Sequence, residues 1–260
     1  MVLKKVIRSA LGLFDLEVRR KIEKPGAPFP VELSRDEKEL FRYVRRNGLT
    51  MVSDERLFAT ILACKHVIER SVDGAFVECG VWRGGNALLA AGVFKLYGAG
   101  RKVYLFDTFA GMTLPTQYDT AAVSGEAAHT RYLSSQKQSY KEWCYASLEH
   151  VKGAFQQANL LDSNVIFVKG DVLSTLAVVG NLPQTIAVLR LDTDWYESTR
   201  MELEMLYPRL SIGGVIMIDD YGYWTGARKA TDEYFARGHR PFLQYTDATG
   251  RAGVKVTRDA

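Results

Sequence analysis

The chain has 260 residues, 47% of them hydrophobic and 25% charged, with a formal net charge of +4. This is an ordinary globular composition, and the length fits one large α/β domain with extensions better than two full domains. The charge is too mild, and aromatic and basic residues too separate, for a nucleic-acid binder; no apolar run reaches the roughly 18 residues of a membrane-spanning helix.

Cys64, Cys79 and Cys144 are odd in number and lack metal spacing. They suggest buried thiols in a reducing, cytoplasmic setting rather than a disulfide frame. Residues 1–24 are basic and amphipathic, with Val2, Leu3, Val6, Ile7, Leu11 and Phe14 near helical spacing. Asp15 and Glu17 interrupt any signal-peptide core. The expectation is a helix docked on the body or on a second subunit of a homo-oligomer, with weak membrane-surface contact as the alternative. Residues 1–48 read as an N-terminal helical extension and 49–260 as the main domain.

After the breaker-rich stretch Lys24–Pro30, Ser34 and Glu37 form a capping-box signature that opens a helix through about Arg46. A second helix is predicted from Ser53 or Asp54 to Arg70. Alternation then begins: a strand over Gly74–Cys79, a glycine turn, a helix over Gly85–Leu96, and a strand over Lys102–Phe106 ending at Asp107. Residues 112–140 read as polar, aromatic and irregular, which makes about 112–145 a candidate lid or substrate loop. Further along, helices are predicted over Ser147–Ala158, Glu197–Tyr207 and Gly226–Ala236, strands over Val165–Val168, Ile186–Leu191 and Gly214–Ile218, and a loop or short helix over Leu173–Val179. The final segment reads as two antiparallel strands around Asp247–Gly250. Such alternation implies an α/β fold with a doubly wound, mostly parallel sheet and an antiparallel terminal hairpin.

Two groups of residues carry chemistry. In Phe76–Leu89 a strand runs through Glu78 into a turn with Gly80, Gly84 and Gly85 at a helix N-terminus, where backbone can approach a ligand. The spacing is not the G-x-G-x-x-G of a dinucleotide fold, so NAD is disfavoured. Asp107, ending the next strand, is placed for ribose hydroxyls, and Gly170 and Asp171 fall at the same rim for an adenine contact. In the second group, Asp192 and Asp194 end one strand, and Asp219 and Asp220 end another. Such carboxylates at adjacent strand ends form an oxygen-only set that favours Mg²⁺ over zinc, although Asp194 could also serve as a helix cap. A divalent cation, three carboxylates and a sulfonium sum to about zero charge.

The stretches VECGVWRGG, LFDTFAGM, SLEHVKGAF, VIFVKGDVLSTL and AVLRLDTDWYESTRMELEMLYPRLSIGGVIMIDDYG together resemble the macrocin O-methyltransferase family. Its S-adenosylmethionine- and Mg²⁺-dependent members methylate sugar hydroxyls on macrolides and related glycosylated natural products. The resemblance implies a class I, Rossmann-like methyltransferase fold. It implies Asp192, Asp219 and Asp220 as metal ligands, with Asp192 the first choice of general base and Asp194 the second. Glu78, Gly80, Gly84, Asp107 and Thr108 would surround the cofactor, Met51 would close over it after Thr50, and Arg83 with Trp82 would shape its methionine end. His129 in the lid, and Tyr221 and Trp224 after the aspartate pair, are candidate substrate contacts. The implied partner is a small glycoside or glycan. Competing readings are a catechol-like phenol O-methyltransferase, a nucleotide-sugar oxidoreductase and a non-catalytic binding protein.

Overall fold

The computed structural model describes residues 29–135 and 142–257. The N-terminal helix expected over residues 1–24, and part of the candidate lid, lie outside the described residues. The first described helix, α1 (Arg35–Arg46), begins at the expected capping box: Ser34 Oγ accepts from Glu37 N, and Glu37 carboxylate accepts from Ser34 N at 2.6 Å. Helix α2 (Asp54–Glu69) is capped by Ser53. Both satisfy backbone donors that a helix start leaves unpaired.

Strands β1 (Ala75–Cys79), β2 (Val103–Asp107), β3 (Val165–Lys169), β4 (Ile186–Leu191) and β5 (Leu210–Ile218) pair in parallel. Strands β6 (Gln244–Tyr245) and β7 (Arg251–Val254) form the antiparallel edge, in the order β3-β2-β1-β4-β5-β7-β6. The order reverses between β1 and β4, and a doubly wound sheet leaves its ligand crevice at the carboxyl ends on either side of such a reversal.

Alternate residues of each strand serve opposite layers. Phe76 and Val188 face a core built from α1, α2, α3 (Gly85–Leu96) and α5 (Leu148–Gln157). Val77 and Leu189 face a second core with the short α6 (Val172–Thr175), α7 (Tyr196–Leu206) and α8 (Thr225–Phe235). Strand β5 starts four residues before the expected Gly214, because Leu210 pairs with Ile186 ahead of an irregularity in the ladder.

The segment expected to be irregular contains a helix, α4 (Ala128–Ser134). Its N-cap is Ala127, which supplies no side-chain bond, and His129 and Thr130 are weak helix formers, so no local signal marks it. Bridges from Thr120 to Ala127 and from Ala121 to Trp224 tie this segment to the start of α8. Asp119, buried, accepts from Thr116 N at 2.6 Å and from Tyr196 N at 2.8 Å, which staples it to α7 as well. Among the described residues no helix is long and apolar enough to cross a membrane.

Candidate functional site

A cavity of about 520 Å³ opens at the carboxyl ends of the parallel strands. One side is the β1 turn. Gly80 has φ +81, and a Cβ there would overlap the Asp192 carbonyl oxygen, so glycine is required by both conformation and contact. Asp107 organises the turn: its Oδ2 accepts from Val81 N at 2.7 Å and Trp82 N at 3.1 Å, and its Oδ1 accepts from Phe109 N at 2.6 Å. Burial raises the Asp107 pKa, and these amide bonds oppose it. Trp82 and Phe109 sit at positive φ (47° and 50°), strained conformations that bonds to Asp107 help hold.

The other side is acidic. Asp192, Asp194 and Asp220 bring carboxylate oxygens within 4.8 Å of one another. Asp220 Oδ2 is buried and has no hydrogen-bond partner among the described residues. Burial pushes all three carboxyls up, Asp194 to about 7; for Asp220 the neighbouring Asp194 and Asp219 add to the effect, whereas Asp194 is partly relieved by hydrogen bonds from Asp220 and Trp224. Asp194 also has φ +72, unusual for a non-glycine residue. Converging hard oxygens, one of them an orphan in a buried pocket, fit a hard divalent cation such as Mg²⁺.

Two arginines hold this half together, and neither was picked out in the sequence. Arg190, 1% exposed, lies opposite Glu78 in the β1–β4 register. It donates to Glu78 Oε1 at 2.7 Å, to Asp192 Oδ2 at 2.6 Å and to Asp219 Oδ1. Arg56, from α2, donates to Asp219 Oδ2. The available signal was an arginine in the apolar run IAVLRL, since a buried guanidinium requires acidic partners.

The predicted site residues divide accordingly. Met51, Glu78, Gly80, Asp107, Thr108, Gly170, Asp192, Asp194, Asp219, Asp220 and Trp224 line the cavity. Five do not. Arg83 turns away to the Gly48 carbonyl at 3.2 Å and stacks on Trp82. Gly84 caps α3 at φ +86, and the space a side chain would need is filled by Val151 and Phe155. Gly85, likewise, gives room to Leu49 and Thr50 of its own chain rather than to a ligand, although it borders the cavity. Asp171 caps α6 by accepting from Leu173 N at 2.9 Å. His129 is exposed on α4, and Tyr221 pairs with Asp232 and Arg240. Glu78 has one oxygen on Arg190 and the other accepting from Ala87 N at 3.1 Å, and burial pushes its pKa to about 7 despite the arginine. Asp219 is held between two arginines and lies beside Asp192, just outside the set of three whose oxygens all converge.

Trp143, Trp195 and Trp224 meet edge-on or tilted, with centroids 5.0–6.1 Å apart, where the lid joins the body. Trp143 and Trp224 line the cavity, and the Arg131 guanidinium lies 4.3 Å from the Trp143 ring centroid. Trp143 and Trp224 thus bring aromatic surface into the cavity that the carboxylates share, with Trp224 hydrogen-bonded to Asp194.

Beneath the acid cluster, Glu202 of α7 is fully buried and accepts from Thr193 Oγ1 at 2.7 Å, fixing the residue between Asp192 and Asp194. Burial pushes its pKa from 4.5 to about 8, against the Thr193 bond. Between those values the folded protein keeps a proton that the unfolded chain has released, so stability falls as pH rises across that window. Glu202→Gln keeps an acceptor for Thr193 and cannot ionise. Urea titrations from pH about 5 to about 8.5 should show the variant gaining on the order of 2 kcal/mol over wild type; parallel curves would contradict this.

Residues 27–249 match the family described as Macrocin-O-methyltransferase (TylF). The chain belongs to that family. It is 36% identical over 206 residues to 8-demethyl-8-(2,3-dimethoxy-alpha-L-rhamnosyl)-tetracenomycin-C 4'-O-methyltransferase of Streptomyces olivaceus, covering 77% of this chain and 73% of that one. It is 34% identical over 195 residues to demethyldecarbamoylnovobiocin O-methyltransferase of Streptomyces niveus, covering 74% and 69%. The solved O-methyltransferase NovP superposes with a TM-score of 0.71 at 32% identity, over 80% of this chain and 83% of that one. The family member described here is therefore an S-adenosylmethionine-dependent O-methyltransferase with a class I, Rossmann-like fold.

Proposed function

We propose that the chain methylates a hydroxyl of a sugar on a glycosylated small molecule, and that it needs Mg²⁺ to do so. The observation that carries the reading is the convergence of Asp192, Asp194 and Asp220 around an orphaned carboxylate oxygen, across one cavity from the Gly80–Asp107 turn. The sugar acceptor is supported by the relative named for a rhamnosyl 4'-O-methylation and by another named mycinamicin III 3''-O-methyltransferase. The tryptophan wall suits the apolar face of a pyranose ring.

Asp192 and Asp220 belong both to the set that the resemblance implies and to the set that converges, and we assign them to the cation. Asp219 takes the third place. Asp194 is the general base, in preference to Asp192, whose Oδ2 already accepts from Arg190. A carboxyl pushed to about 7 by burial is matched to proton removal near neutral pH. Mg²⁺ held there would compensate the carboxylate charge and polarise the acceptor hydroxyl, and S-adenosylmethionine would supply the methyl. Gly80, Thr108 and Gly170 would cradle the cofactor, and Asp107 would reach its ribose hydroxyls in exchange for the Thr108 hydroxyl, which lies 3.4 Å from Oδ1. Asp194 would take the proton of the acceptor hydroxyl as its oxygen receives the methyl group. Positioning by the rigid walls contributes much of the rate.

Incubation with isotopically labelled cofactor and a panel of glycosides should add one methyl to a sugar hydroxyl, read by fragment mass spectrometry. Label confined to phenolic hydroxyls would overturn the sugar assignment, and turnover unaffected by chelator would overturn the cation. Asp194→Asn should retain Mn²⁺ binding and reduce kcat by at least about 100-fold. Loss of Mn²⁺ binding in that variant would make Asp194 a ligand instead.

A further inference from the structure

Arg56 stands between two carboxylates. Its Nη1 donates to Asp219 Oδ2, and its Nε lies 2.9 Å from Asp247 Oδ2. Asp247 belongs to the β6–β7 turn and is itself well anchored. Ser53 Oγ donates to its Oδ2 at 2.6 Å, while Thr249 N and Gly250 N donate to its Oδ1 at 2.9 and 2.6 Å. Burial raises its pKa, but these donors and Arg56 outweigh it and leave the carboxyl below its usual value.

The turn is also seated against the acid site. Gly222, two residues after Asp220, donates its N–H to the Thr249 carbonyl at 2.8 Å, and a side chain at 222 would collide with Ala248. A Cβ at Gly250 would come within 2.8 Å of Arg56 Cδ, so that glycine makes room for the arginine stem. Arg56 therefore donates to Asp219 and lies within ion-pair distance of Asp247, on a separate element, while its buried Nε–H has no hydrogen-bond partner among the described residues; the side chain also lines the cavity.

We propose that Arg56 is a transferable counter-ion, which neutralises Asp219 when no divalent cation is bound and is drawn onto Asp247 when one binds. This rests on the acid cluster being a cation site. A guanidinium and a metal ion on the same Asp219 oxygen repel each other, so the two compete for Oδ2. Asp247 supplies the alternative pairing at the cost of a short side-chain swing, which would also give the unpartnered Nε–H an acceptor. Without it, Asp219 is the one carboxylate left in contact with Arg56 among the described residues, and the arginine competes with the cation directly. The terminal hairpin thereby acts on the metal site through Arg56 and touches no reacting atom; Asp247 is a positioning residue.

The test is Mn²⁺ binding to the full chain without acceptor, read by the loss of free-ion electron paramagnetic resonance signal. Arg56→Gln should tighten binding about tenfold, since a neutral side chain no longer competes. Asp247→Asn should weaken it by about as much, and the double variant should match Arg56→Gln, because Asp247 acts only through the arginine. Arg56→Met, which keeps the unbranched stem, replaces Arg56→Gln if that variant fails to fold. Unchanged or weaker binding after loss of Arg56 overturns the proposal, as does an Asp247→Asn effect that persists in the double variant. No Mn²⁺ binding by wild type or any variant removes the cation site itself, and this inference with it. Binding by wild type that ignores Arg56 leaves the site standing and removes only the counter-ion role.

Discussion

Arg190→Met should destabilise the protein by about 3–5 kcal/mol and abolish methyl transfer. The side chain is 1% exposed and is the shared partner of Glu78, Asp192 and Asp219. Methionine fills similar volume but leaves three carboxylates facing one another in a site with little water. They would recover by binding protons, so the variant's deficit should shrink as pH falls and the acids neutralise. Arg190→Lys should not restore function, because one ammonium cannot reproduce the fork that reaches three acceptors at once. Urea denaturation at pH about 5 and about 8 measures both effects; a deficit that does not depend on pH would mean the loss is one of packing.

Gly80→Ala should reduce kcat by about 100-fold or more while changing cofactor affinity less. The added methyl has nowhere to go: at φ +81 the Cβ direction runs into the Asp192 carbonyl, whose residue also donates its N–H to Cys79 O at 2.9 Å. The left-handed conformation alone costs an alanine about 1–2 kcal/mol, and backbone displacement there moves a carboxylate at the reaction centre. The cofactor contacts proposed at Thr108 and Gly170 follow β2 and β3 and would be spared. The comparison is between kcat from steady-state kinetics and cofactor dissociation measured by calorimetry. An equal loss in both would place Gly80's importance in the cofactor pocket rather than in seating Asp192.

Much of this site was readable before the tertiary structure. The glycine turn and the two aspartate pairs stand out because each contradicts its surroundings: tight turns in an apolar strand-helix unit, and charges at the end of β-branched runs. What those residues touch was less readable. Gly84 and Gly85 looked like openings toward a ligand, yet their space is taken by Val151, Phe155, Leu49 and Thr50. Asp107 looked like a ribose ligand, and most of its bonding goes to the backbone of its own site. The helix α4 has no capping side chain, so nothing local announced it.

Local chemistry determines the order of strands and helices, the capped starts of α1 and α2, and the placement of glycines and acids at strand ends, because propensity, capping and periodicity act over a few residues. Partners distant in sequence depend on the fold. Only the sheet register sets Arg190 beside Glu78, and only the docking of the terminal hairpin brings Asp247 to Arg56 and, through it, to Asp219. The charge of a carboxylate is visible in the chain, but the desolvation and the cations that set its protonation are properties of the packed interior.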